Sequence, residues 1–140
     1  MLGGFRLFRY LPRMDTPPPT AAQQKLVMWV LWAAFLIGVC VQYHFLHSKS
    51  PPVADESALW LTGALPVLVA IVIRWNVLPR LKSVTQALPL MVVGIALAES
   101  AAFIGMFVFP AHQWELFIAA FVGVAQHAPV YADALISPPQ

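Results

Sequence analysis

The residue whose type and position most invite chemistry is Glu99. It stands near the middle of a long apolar run with apolar-rich sequence on both sides. An ionised carboxylate in hydrocarbon is costly, so the group must be protonated, paired, hydrated or bound to an ion. A carboxyl that takes up and releases a proton at membrane depth is what a proton- or cation-translocating protein requires. A purely structural role needs less: a protonated Glu99 hydrogen-bonded to a neighbouring helix, with Thr62 or Gln126 as donor or acceptor. The histidines offer a second constellation. His44 and His47 share one helix face, and His112 and Glu115 fall at the same end of the predicted bundle. Together they are candidates for an N/O metal site or haem ligands, or for plain interfacial residues bonded to water and headgroups. His127 is expected at the opposite end and cannot join them. The single cysteine, Cys40, excludes an intramolecular disulfide and reads as a small buried hydrophobe. No phosphate loop, nucleophile elbow or zinc-protease motif occurs, so neither enzymatic activity nor a cofactor is expected.

The elements that must position these residues follow from composition. Of 140 residues, 60% are hydrophobic and only 10% charged, against about 25% charged in a soluble domain. That balance excludes a cytosolic enzyme, a nucleic-acid binder and a disordered tail. Each membrane span needs about 20 apolar residues. Four segments approach this, at about 25–46, 58–78, 87–109 and 114–128. The expected fold is therefore all-α, a polytopic bundle of four transmembrane helices over 25–128. It lies between a basic, Pro-rich tail (1–24) and a C-terminal tail (129–140). Three helices are the alternative, because the fully apolar core of the fourth segment is short. Ser57 or Asp55 is the expected cap of the second helix. Pro66 and Pro89 should kink helices or mark first turns. A cleaved signal peptide competes for the N-terminus, but the apolar run there is too long for one.

Charge placement sets orientation. With alternating crossings, Arg6, Arg9, Arg13, Lys25, Arg74, Arg80 and Lys82 share one side and Lys49 stands alone on the other. The basic side is expected to be cytoplasmic, in a bacterial inner membrane, with the C-terminus also inside if the fourth segment spans. Arg6, Arg9 and Arg13 cluster on one arc of a short amphipathic stretch suited to an anionic leaflet, or else lie in a basic tail that only sets topology. Arg74, about one turn inside the helix end, is expected to snorkel to the interface.

Gly94, Ala98, Ala101, Ala102 and Gly105 fall on one arc of the third segment, away from Glu99. This spacing lets helix backbones approach closely and predicts a packing face for a partner helix or a second copy. The stretch 94–105, in which Gly94 and Ala96 precede Glu99 and Gly105 follows, resembles the carboxylate-bearing second helix of the proteolipid c subunit of rotary ATP synthases. The polar loop 79–83 followed by an outward-running helix agrees with that family's hairpin. The resemblance implies Glu99 as the ion-carrying residue. Two functions thus stand open: a small non-catalytic accessory or complex subunit, and a proton or cation carrier using Glu99. Lipid or cofactor binding at the histidines is a third. The expected partners are the lipid bilayer and other membrane subunits or further copies of the chain, with no nucleic acid.

Overall fold

The computed structural model describes residues 19–47 and 58–136. All regular structure among them is helical. The basic tail with Arg6, Arg9 and Arg13, and the link carrying Lys49, Asp55, Glu56 and Ser57, lie outside the described residues.

The first helix, α1, spans Ala21–Leu46. It starts four residues before the sequence-based boundary because Thr20 and Gln23 form a capping box, each side chain bonding the other's backbone N–H. The helix is apolar all round, and large side chains such as Val30, Ile37 and Phe45 stay exposed along its outer face, as expected of a helix solvated by lipid.

A second helical stretch, Ala58–Arg80, is not uniform. A 3-10 segment (Ala58–Ala64) leads into α2 (Leu65–Val72), with Pro66 in its first turn. There proline's missing N–H leaves no intrahelical bond unmade. A π-helical turn (Ile73–Val77) and a 3-10 turn (Leu78–Arg80) complete it, two residues beyond the expected end. The helix α3 spans Val84–Phe107 with Pro89 inside it. After a tight turn at Val108 and Phe109 and a 3-10 turn at Pro110–His112, α4 runs Gln113–Ala125, followed by a short α5, Ala132–Ile136.

Three stretches, α1, Ala58–Arg80 and α3, are long and apolar enough to cross a membrane. The fourth is not an unbroken span over 114–128. At 13 residues, α4 rises only about 20 Å. It stops at Ala125, and Pro129, which has no N–H to donate, lies buried just beyond. The C-terminal segment nevertheless runs antiparallel to α1 over most of its length. Phe117 stacks on Tyr43, the Trp32 indole donates to the Val124 carbonyl, and Lys25 pairs with Asp133. From Tyr43 to Lys25 is about 27 Å along the helix axis.

The core is built on α3. Its buried stripe includes Met91, Ile95 and the five small residues read from the sequence, and α4 and α2 pack against it.

Candidate functional site

Glu99 is half-buried on the flank of α3. Its partner is neither Thr62 nor Gln126. Thr62 donates to the Leu59 carbonyl of its own helix, and Gln126 lies near the far end of α4. The Gln42 amide of α1 instead donates to Glu99 Oε1 at 2.6 Å. The two side chains, with Ala34, Phe35 and Gly38, line a cleft of about 320 Å³ between α1 and α3. An added Cβ on Gly38 would lie 3.9 Å from Glu99 Oε1, so the wall there is as low as backbone allows. The Gln42 carbonyl oxygen is buried with no hydrogen-bond partner among the described residues. The cleft therefore holds an acid bonded to a neutral amide, an unused acceptor beside it, and small residues at the mouth. Its small residues suit a close-packed helix.

The small-residue stripe is filled from within the chain. A Cβ on Gly94 would lie 2.4 Å from His127 Nε2, one on Gly105 2.8 Å from Leu116 Cβ, and one on Gly123 2.8 Å from Ala98 Cβ. Ala101 and Ala102 are buried in the core beside Val67 and Ala120. The face expected to receive a partner helix or a second copy is covered by α4, His127 and their neighbours.

The histidine constellation does not assemble. His47 stacks on Tyr43, His44 meets Phe45 edge-on, and His112 stacks on Trp60 while standing 3.9 Å from Glu115. Among the described residues no three His, Cys, Asp or Glu side chains are placed to hold a metal ion. Each ring is spent on an aromatic neighbour. Cys40 is exposed rather than buried, on the outward side of α1.

A second polar cluster, which the sequence reading did not foresee, gathers where α4 ends. Arg74 turns inward rather than snorkelling. It is 6% exposed, in the π-helical turn, and its Nε donates to the Gln126 carbonyl at 2.6 Å. Its guanidinium lies between the Trp75 and Tyr131 rings at 4.9 and 4.7 Å from their centroids. Trp75 donates to Gln126 Oε1. His127 is fully buried, and its Nδ1 donates to the Gly123 carbonyl at 2.7 Å. Since a carbonyl only accepts, Nδ1 carries the proton and Nε2 presents a lone pair toward Gly94. These bonds, with that of Trp32, satisfy the last carbonyls of α4, which a helix ending inside an apolar bundle could not leave open. The sequence signal was faint: Gln126 and His127 interrupt an apolar run just before Pro129.

Comparison with protein-family models, curated proteins and solved structures finds no match to the chain.

Proposed function

We propose that this is a small, non-catalytic integral membrane protein that works as a self-assembling subunit, two copies meeting through α1 at the Gln42–Glu99 cleft. The observation that carries this reading is the cleft itself, which brings small residues to the surface of an otherwise lipid-suited helix. Ala34 and Gly38 stand four apart, the spacing at which helix backbones approach closely. Val27, Val30, Ala34, Ile37 and Val41 form an exposed seam at alternating spacings of three and four, as in paired helices. A second α1 is the fitting occupant because the seam is apolar and repeats at the spacing of paired helices, so two copies related by a two-fold axis present the same face to one another. In this reading the chain crosses the bilayer four times, the last time as the broken pair α4 and α5. Both termini lie on the cytoplasmic side with Lys25, Arg80 and Lys82.

The test is cysteine cross-linking in native membranes. With Cys40→Ala as background, Ala34→Cys should give a covalent dimer, and Val93→Cys on the outer face of α3 should not. Equal cross-linking at both positions, or none at Ala34→Cys, refutes the α1 contact.

Proton or cation carriage by Glu99 is the second reading. It is favoured by the neutrality of the acid's partner, which leaves no basic side chain among the described residues to hold the carboxylate charge. It is the reading in which the resemblance to the proteolipid helix reflects shared chemistry. Reconstituted vesicles whose proton flux is lost in Glu99→Gln would support it, and vesicles with no flux above protein-free controls would remove it for the isolated protein.

A further inference from the structure

The cluster at the end of α4 has an unbalanced chemistry. Arg74 is a buried cation whose only hydrogen bond among the described residues is the one from Nε to the Gln126 carbonyl. Among the described residues no carboxylate lies within ion-pair distance of it. Two further polar atoms nearby, Gln126 Nε2 and Tyr131 Oη, are buried and have no hydrogen-bond partner among the described residues. The orientation of the Gln126 amide is fixed because its oxygen accepts from Trp75, so its nitrogen is the free end. The unused groups are therefore the guanidinium Nη donors, an amide N–H2 and a phenol O–H. All are donors, and a buried guanidinium without a counter-charge calls for an anion. The unused nitrogen of His127 takes no part, because it faces Gly94. The Nη groups are not sealed: neither is a fully buried unpartnered atom. Trp75 beside them is 61% exposed on the outside of the bundle. The cluster also lies toward the end that carries Arg80 and Lys82.

We propose that Arg74, Gln126 and Tyr131 form a phosphate-binding site, filled from the side by the headgroup of an anionic phospholipid. A phosphate supplies the missing charge. It offers enough acceptor oxygens for the guanidinium fork, the amide and the phenol together. Bound there, the lipid would lock the broken C-terminal segment to the second helical stretch, because Gln126 and Tyr131 belong to the former and Arg74 to the latter.

The experiment uses the full chain in detergent. Thermal unfolding and native mass spectrometry are recorded with added phosphatidylglycerol, with phosphatidylcholine, and with inorganic phosphate. The wild type should retain phosphatidylglycerol and melt higher with it, with little response to phosphatidylcholine. Gln126→Glu places a carboxylate beside Arg74 and supplies the counter-charge internally. It should fold and weaken phosphatidylglycerol retention roughly tenfold or more. Tyr131→Phe removes one donor and should weaken retention less. Inorganic phosphate that competes with the lipid would support the phosphate site while making free phosphate its occupant. Retention unchanged in Gln126→Glu overturns the proposal. So does retention lost only when Arg80 and Lys82 are neutralised, since surface charge would then hold the lipid. A wild type indifferent to both probes also overturns it, and leaves a partner protein's carboxylate as the counter-ion.

Discussion

Adding one methyl group at Gly94 should damage the bundle more than adding it at any other glycine of α1 or α3. The new Cβ would fall 2.4 Å from His127 Nε2, with Cδ2 at 3.1 Å and Cε1 at 3.3 Å. Two atoms in van der Waals contact need about 3.5 Å or more, so something must move by about an ångström. The ring cannot swing aside freely, because it is fully buried and its Nδ1 is tied to the Gly123 carbonyl. Overpacking of this kind costs about 1–3 kcal/mol. The helix-propensity gain of alanine over glycine, roughly 0.5–1 kcal/mol, offsets part of it. Gly94→Ala should therefore lose up to about 2.5 kcal/mol net. At Gly38, where the nearest atom to a new Cβ is 3.9 Å away, the same change should be neutral or slightly stabilising. The assay is reversible unfolding in mixed micelles for Gly94→Ala, His127→Ala and the double variant. Removing the ring makes room for the methyl, so the double variant should be less destabilised than the sum of the singles. Additive losses, or a Gly94→Ala protein as stable as Gly38→Ala, would refute the contact between α3 and His127.

Ala98→Leu should lower stability rather than change assembly, because Ala98 is packed against Gly123 and Val67 lies beside that glycine; unfolding and sizing of the same sample separate the two effects. Asp133→Asn should cost less than about 1 kcal/mol and make the remaining stability less salt-dependent, since the Lys25–Asp133 pair is well exposed. Glu99→Leu should leave the Gln42 amide without its acceptor, at a cost of about 0.6–2 kcal/mol, whereas Glu99→Gln should preserve most of the bond, as micelle unfolding would register.

What was legible in the sequence was what depends on local composition. Glu99 stands out because a carboxylate among apolar residues is anomalous wherever the helices pack, and the three long helical stretches lie close to where apolar length puts them. The five small residues of α3 were readable as a face, but not which helix would cover it, since that depends on Gly123 and His127, eighteen or more residues downstream. Gln42 lies 57 positions from Glu99. Nothing in the periodicity of α1 marks its amide as the donor, and the Ala34–Gly38 spacing emerges only once the cleft is seen. Arg74 misled for a physical reason. A long basic side chain one turn from a helix end ordinarily reaches outward. Here the open carbonyl at Gln126 and the faces of Trp75 and Tyr131 give it better partners inside. The apolar run puts the start of α1 four residues late, because the capping pair of Thr20 and Gln23 extends the helix into a polar stretch.

The most direct measurement is the protein mass of the particle in mild detergent, by light scattering corrected for bound detergent. Self-assembly through α1 predicts twice 15.4 kDa for the wild type. It predicts the single-chain mass for Gly38→Leu, whose side chain would block the approach of a second α1. A wild-type particle of one chain, or a Gly38→Leu particle that remains a dimer, contradicts it.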